Sequence, residues 1–342
     1  IRIAFIIPGS AIESCSERVG DSSPSSMIFA WRQANELRRQ GLVVDVFTLT
    51  SRTSPWILLT NFLHFRRQVT EWHSQVVHAH FGTVTALFAV LASRLLNTVD
   101  GSRRNLPVVI TYRGSDLNPV SLLKAPRAFL GRVFSQVAAL GATQLVCVSA
   151  ALRRQLWWRQ SSAVVLPSGV DITRFQPLPQ PEVRNRLGWP LDVPVLLFNA
   201  GHDARNKRLD VAEAVFEIVR REIPMARLEV MRGEVPPDMV PDLMNAADCL
   251  LLTSDREGSP TVIQEALACN LPIVSVEVGD IVERLAGVRG AHICSRNPAT
   301  LAAAVAGMLS TRQRSEGKQR AAEVASTRIA NELARLYRES IG

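Results

Sequence analysis

Glu257 and Glu265 stand eight positions apart in the stretch DREGSPTVIQEALACN (255–270), with Gly258, Ser259 and Pro260 between them. Ser is a favoured N-cap and Pro suits a first helical position, so the order predicts a helix opening at Pro260 with Ser259 as its cap. The first amides of that helix, on Thr261 and Val262, have no acceptor within it, and the aligned peptide dipoles add partial positive charge there. Such an end suits a phosphate. Glu265 lies four residues beyond Thr261, on the same helical face and about 6 Å further along. Glu257 lies before the turn. A diphosphate at the helix end is then flanked by two carboxylates. Each can accept hydrogen bonds from vicinal hydroxyls, which a nucleotide sugar presents through its ribose and its sugar ring. The competing reading makes Glu257 a loop charge and Glu265 a solvated helix residue.

These residues need a scaffold, and the pattern of the chain supplies one. IRIAFII (1–7), VVDVFTL (43–49), VVHAHF (76–81), PVVITY (107–112), QLVCVS (144–149) and AVVLPSG (163–169) read as strands, with helices at 28–41 and 83–96. A proline-rich stretch, 174–194, interrupts the alternation. It restarts with VPVLLFNAG (193–201), a helix at 207–220, ARLEVM (226–231), a short helix near 239–246, DCLLLTS (248–254), a helix at 260–268, LPIVSV (271–276) and AHICS (291–295), and ends in a helical tail at 317–339. Alternating strands and helices predict βαβ units, mainly parallel sheets, and ligands at the carboxyl ends of the strands.

Composition narrows the function. Hydrophobic residues make up 47% and charged residues 20% of 342, which is globular rather than disordered. No apolar run reaches the ~18 residues of a membrane span, and no leader pattern opens the chain. The five cysteines (Cys15, Cys147, Cys249, Cys269, Cys294) are odd in number and far apart. That argues against a disulfide framework or a zinc site and for reduced thiols in a cytosol. The net charge of +8 asks for an anionic partner: a nucleotide, a phospholipid surface or a nucleic acid. No basic cluster with interleaved aromatics forms a nucleic-acid module, and no GxGxxG follows a strand, which leaves out a dehydrogenase. WILLTNFLHFRRQ (56–68), LLKAPRAFLGRVF (122–134) and LRRQLWWRQ (152–160) mix apolar residues with arginine. They either rest on an anionic membrane surface or pack as amphipathic helices on their own domain.

The stretch LMNAADCLLLTSDREGSPTVIQEALACNLPIVSVEVGDIVERL (243–285) resembles the donor-site signature of the retaining family 4 (group 1) glycosyltransferases of GT-B fold. The matching features are Asp248 before an apolar strand, the E-x7-E pair Glu257/Glu265, and EALACNLPIV, with Asn270 where the family more often has Gly. VVHAHFG (76–82), VVITYRGSDL (108–117), LVCVSAALRRQL (145–156), LPSGVDITRFQP (166–177) and the tail ELARLYRE resemble further family landmarks in order, so the resemblance covers nearly the whole chain. It implies two facing Rossmann-like domains with a cleft between them. Residues 1–175 form the acceptor-side domain, 176–192 a linker, 193–325 the nucleotide-sugar-binding domain, and 326–342 a helix packing toward the first domain. It implies transfer of a glycosyl group from a nucleotide-diphosphate sugar, commonly a UDP-sugar, to an acceptor hydroxyl with retention at the anomeric carbon. Neither metal nor cofactor is implied, so cations and helix amides must stabilise the departing diphosphate. The implied partners are the donor and a glycan or lipid-linked acceptor; the implied location is the cytoplasm or the inner face of its membrane.

Carried over position by position, the resemblance assigns roles. The family has Arg after a Gly that follows the first strand of the second domain, and Lys some five residues later. Here NAGHDARNKRLD places Lys207 at the lysine, and it is one of only three lysines in a chain whose Lys and Arg total 39. A compact ammonium rather than a planar fork is implied there; the alternative is a surface charge at a helix start. His202 stands where the arginine is expected, and Arg205 is the other candidate for the second cation. Lys207, Glu257, Arg205 and His202 are therefore the catalytic candidates. The donor-binding candidates are Glu257 on the sugar ring, Gly258, Ser259, Pro260, Thr261 and Val262 on the diphosphate, Glu265 on the ribose, with Lys207 and Gly233. On the acceptor side, Arg113 replaces a frequent family His and faces donor phosphate or an acidic acceptor. Asp116 binds an acceptor hydroxyl or caps the next segment. Gly9, opening the serine-rich segment 8–27, and His80 at a strand end complete that set. No carboxylate stands out as a covalent nucleophile, which favours front-face substitution with the leaving phosphate as base. The competing functions are a nucleotide-sugar-binding protein without catalysis and another GT-B enzyme, such as a nucleotide-sugar epimerase or an inverting transferase; the glutamate pair argues against the epimerase and the inverting transferase.

Overall fold

Six apolar runs of the first half pair edge to edge, every neighbour parallel: β1 (Arg2–Pro8), β2 (Val43–Leu49), β3 (Val76–His80), β4 (Val108–Tyr112), β5 (Gln144–Cys147) and β6 (Val164–Val165), in the order β2-β1-β3-β4-β5-β6. The computed structural model describes residues 1–9, 27–50, 54–99, 106–118 and 125–342. β3 and β4 are buried at every position, as strands covered on both faces by helices must be. The second half repeats the plan with β7 (Val195–Gly201), β8 (Arg227–Arg232), β9 (Cys249–Leu252), β10 (Ile273–Val276) and β11 (Ala291–Cys294) in the parallel order β11-β10-β9-β7-β8. The chain divides into two units, Ile1–Pro167 with Thr327–Gly342, and Ser168–Ser326.

The strand orders locate the crevices. In the first unit the chain steps from β1 outward to β2, then returns to place β3 on the other side of β1. In the second it steps from β7 to β8, then places β9 across β7. At such a reversal the connections leave in opposite directions, and the carboxyl ends of the two central strands border an open crevice. Gly9, just after β1, and His80, the last residue of β3, therefore lie at one reversal, and the segments after β7 and β9 meet at the other.

The stretch 176–192, expected to be a linker, is part of the second unit. It contains the helix Gln180–Leu187, closed by Gly188 at φ 68°. Arg184 of that helix is 1% exposed. Its guanidinium donates to Asp248 Oδ2 at 2.7 Å and to the carbonyls of Ala246, Pro190, Leu191 and Val193. A buried charge is tolerated only when it is paired and fully hydrogen-bonded, and this one is. The prolines make the stretch look loose; the arginine that anchors it has no periodicity to betray it. The helix expected at 207–220 is two pieces, Ala204–Lys207 and Leu209–Glu222, broken at Arg208 with φ 59°. Pro298–Thr311, absent from the expected elements, is a helix capped by Asn297, whose side chain accepts from Ala299 N and Thr300 N. Its Ala-rich sequence carries no amphipathic period to read. The tail splits into Lys318–Ala322 and Ser326–Ile341. The latter belongs with the first unit, where Tyr337 Oη meets His78 Nδ1 at 2.6 Å.

Candidate active site

In the second unit the segments after β7 and β9 are bound to each other. Asp203 caps the single turn Ala204–Lys207 by accepting from Asn206 N at 3.0 Å. Asn206 in turn donates through Nδ2 to Arg256 O at 3.0 Å and accepts at its carbonyl from Asp255 N at 2.8 Å. Thr253 Oγ1 donates to the carbonyl of Lys207 at 2.8 Å. These bonds fix where the two side chains emerge, and Lys207 Nζ meets Glu257 Oε1 at 2.5 Å with side-chain exposures of 20% and 13%. Lys207, the cation expected to face the two glutamates, forms a direct, largely buried ion pair with Glu257. Arg208 holds Asp210 and Asp255, and Arg296, from beyond β11, donates to Ser254 O at 2.6 Å. Asp255 also lies 3.5 Å from Arg296.

Beyond Glu257 the chain enters the helix Thr261–Ala268, one residue later than expected, with Pro260 as its N-cap. Ser259 does not cap it. Its hydroxyl donates to Asp280 Oδ2 at 2.8 Å and accepts from Gln264 Nε2 at 2.9 Å. A carboxylate is a stronger acceptor than a neutral group and claims the hydroxyl, which explains the change of role. Ile263 N already donates to Pro260 O, so Thr261 and Val262 retain the amides without an intrahelical acceptor. Glu265 is 8% exposed, which rules out the solvated reading. Gly258, Ser259, Pro260 and Val262 are buried and Thr261 partly so. Asn270 takes the left-handed conformation, φ 53°, that the family's glycine would take.

The two remaining cation candidates lie at the same edge. Arg205 and His202 are exposed. The His202 ring rests on Gly233, where an added Cβ would approach it to 2.0 Å. A side chain at 233, a position expected at the donor, would have to displace the His202 imidazole. Asp280 and Gly279, in the loop after β10, are functional candidates that the sequence reading passes over. Their signal is the VGD triplet before the short helix Ile281–Leu285.

The acceptor-side candidates sit at the carboxyl ends of β1, β3 and β4 in the first unit. Gly9 N donates to Leu49 O at 3.2 Å; residues 10–26 of the serine-rich segment lie outside the described residues. Asp116 is fully buried and accepts from the amides of Gly82, Arg113 and Gly114 at 2.8–3.2 Å. It therefore closes the Arg113–Asp116 turn from within, and the reading as a hydroxyl binder gives way to the capping one. His80 is also fully buried, stacked on His78 with ring centroids 4.4 Å apart, and cannot reach an acceptor as placed. Burial pushes both imidazoles down, that of His78 to about 3. Arg113 lies over the Phe29 ring at 3.8 Å, and its terminal nitrogen is 3.3 Å from His80 Nδ1. Burial lowers its guanidinium to about 9 against the opposing pull of Asp116. Among the described residues no group of His, Cys, Asp and Glu has the arrangement of a metal site. Cys147 and Cys269 are buried thiols pushed up to about 12, which makes them inert.

Two parallel α/β units, each with its candidate residues at the carboxyl end of a strand-order reversal, define a protein of two Rossmann-like units. Two family descriptions then match, "Glycosyltransferase Family 4" over residues 27–174 and "Glycosyl transferases group 1" over 213–311. The chain belongs to this glycosyltransferase family. It is 30% identical over 228 residues to the putative teichuronic acid biosynthesis glycosyltransferase TuaC of Bacillus subtilis (strain 168). That match covers 61% of this chain and 54% of the relative, so the chain spans about half the length of that protein. Its fold is shared with sucrose-phosphate synthase from Thermosynechococcus elongatus, at TM-score 0.76 and 17% identity over 99% of this chain and 98% of the other. It is shared too with Anabaena Alr3699/HepE in complex with UDP and glucose, at TM-score 0.69 and 15% identity over 99% of both chains.

Proposed function

We propose that this chain transfers a glycosyl group from a nucleotide-diphosphate sugar to an acceptor hydroxyl with retention of configuration. The observation that carries the proposal is the Lys207–Glu257 pair, held beyond the carboxyl ends of β7 and β9 and followed closely by the amides of Thr261 and Val262 at the helix start. As the sugar–phosphate bond breaks, charge develops on the leaving diphosphate. An ammonium and helix amides fixed in advance stabilise that charge without reorganising. Glu257, engaged by Lys207, is a poor nucleophile, which supports a role in orienting the sugar and a front-face route. In that route the leaving phosphate takes the proton of the incoming hydroxyl, so the sugar–oxygen bond forms on the face from which phosphate departs. Glu265 accepts from the ribose. Arg205 or His202 supplies the second cation.

The Anabaena protein of shared fold is in complex with UDP and glucose, which supports a UDP-sugar donor. TuaC's name supports an acceptor in cell-envelope polysaccharide synthesis. The purified protein should be incubated with a panel of nucleotide sugars and glycan or lipid-linked acceptors, with and without EDTA, and the product examined by mass spectrometry and NMR. The expected product retains the anomeric configuration and forms in EDTA. An inverted anomer sinks the mechanism, and the absence of both transfer and slow donor hydrolysis favours a non-catalytic binder.

A membrane-facing role is supported by the first unit's helices. Pro55–Glu71 exposes Trp56, Leu59 and Leu63 on one face, with Trp56 79% exposed. The helices Thr83–Val99 and Pro126–Gly141, which lack acidic residues, expose Leu91, Leu95, Leu130, Val137 and Leu140. Arg66, Arg67, Arg94, Arg127 and Arg132 accompany them. Apolar side chains among arginines suit an anionic lipid surface. Among the described residues no helix is long and apolar enough to cross a membrane. Sedimentation with vesicles should show binding only when anionic lipid is present; equal binding to neutral vesicles, or none, removes the idea.

A further inference from the structure

The loop bearing Glu257 is held from an element remote in sequence. Ser259 Oγ has one hydrogen, and it goes to Asp280 Oδ2 at 2.8 Å, while Gln264 Nε2 donates to the same hydroxyl at 2.9 Å. Arg284 Nε lies 3.2 Å from that carboxylate. Gly279, at φ 60°, lies so close that an added Cβ would come within 2.7 Å of Gly258 O and 3.3 Å of Glu257 C. Ser259, Gln264 and Asp280 are all buried, and Asp280 Oδ1 and Gln264 Oε1 find no partner among the described residues. A carboxyl with one unpartnered oxygen in a buried position is destabilising on its own account. Burial raises it to about 6. A hydrogen bond that keeps so costly a group in place is explained by what it holds.

We propose that Asp280 is a positioning residue for the segment Glu257–Ser259, acting through the Ser259 hydroxyl and through the contact of Gly279 with the Gly258 carbonyl. Glu257 reaches Lys207 on one side. Two residues further on, Ser259 is tied to Asp280. The segment is therefore pinned at both ends, once to the element after β7 and once to the loop after β10. The consequence for catalysis rests on the function proposed above: with Ser259 released, Glu257 and the amides of Thr261 and Val262 no longer hold a fixed geometry toward donor.

The test has two arms. Hydrogen–deuterium exchange on the unliganded protein compares wild type with Ser259→Ala, Asp280→Ala, Asp280→Asn and the Ser259→Ala/Asp280→Ala double variant. Either alanine should speed exchange of the amides at 257–259, 261 and 262 by about tenfold, the order expected for one charge-assisted hydrogen bond. The double variant should be no faster than the faster single, because both singles already remove the Ser259–Asp280 bond. Asp280→Asn, whose amide oxygen still accepts, should restore protection. Wild-type exchange in Ser259→Ala, or additive effects in the double variant, overturns the proposal, and Ser259→Ala decides it even if Asp280→Ala does not fold. The second arm measures turnover with a UDP-sugar: Asp280→Ala should raise the donor KM about tenfold while changing kcat less, and Asp280→Asn should reverse it. If wild type turns over no donor, the functional reading fails and the exchange arm alone judges Asp280.

Discussion

Lys207 and Glu257 carry opposite charges in a place that water only partly reaches, and each fixes the other. In the proposed reaction, removing the ammonium takes away the stabilisation of the leaving diphosphate, and it frees Glu257 at the same time. Lys207→Ala should therefore lower kcat/KM by at least about 10²-fold, the scale of one preorganised donor at a transition state. Lys207→Arg should recover little. The guanidinium is broader than an ammonium, and the bonds from Thr253 and Asp203 hold the turn where only a slender stem reaches Glu257. Steady-state kinetics with the melting temperature as a fold control checks both. An arginine variant with near wild-type turnover would show that charge alone matters there. The scarcity of lysine makes this residue conspicuous in the sequence. Its direct contact with Glu257 is not legible there, because that depends on how two segments 50 residues apart are tied together.

At the scale of elements, strands are the most legible part: the buried parallel runs are short, apolar and flanked by turns, and every one expected is a strand. Helices are legible where they are amphipathic and escape notice where they are not, as at Pro298–Thr311. The helix after Glu257 starts one residue later than expected because capping rules see only local partners, and Ser259 has a better one in Asp280. Gly279 shows the same limit. Its left-handed φ and its closeness to Gly258 both follow from the packing of two loops. Gly279→Ala should cost roughly 1–3 kcal/mol, since a Cβ faces both an unfavourable φ and a backbone carbonyl that cannot swing aside. Chemical denaturation measures this, and donor KM should rise with it. A neutral alanine would mean that the two loops are not in rigid contact.

For the whole molecule, Asp280 in the second unit and His78 and His80 in the first respond to acid in opposite directions. Asp280, in the second unit, has a carboxyl raised above its unfolded value, so its contribution to stability is full below about pH 4 and is lost as pH rises through about 6. In the first unit, His78 joins β3 to the terminal helix through Tyr337 and to β4 through Thr111 at 2.7 Å, and it is fully buried. Desolvation lowers it from 6.5 to about 3. The unfolded chain then binds the extra proton throughout that window, and stability falls as pH falls from about 6.5 toward 3. His80, also lowered, acts in the same sense. His78 and His80 therefore weaken the first unit as acid is added, while Asp116, buried there with its carboxyl raised, acts in the opposite sense. Five of the six tryptophans, Trp31, Trp56, Trp72, Trp157 and Trp158, lie in the first unit, so intrinsic fluorescence reports it. Between pH 7 and 4.5 the stability advantage of wild type over His78→Gln should shrink by about 2–3 kcal/mol, because glutamine can serve both hydroxyls and does not titrate. Denaturation followed by fluorescence at the two pH values gives that difference; a gap that does not change with pH would mean that the imidazole stays neutral in both states or is solvated in the fold.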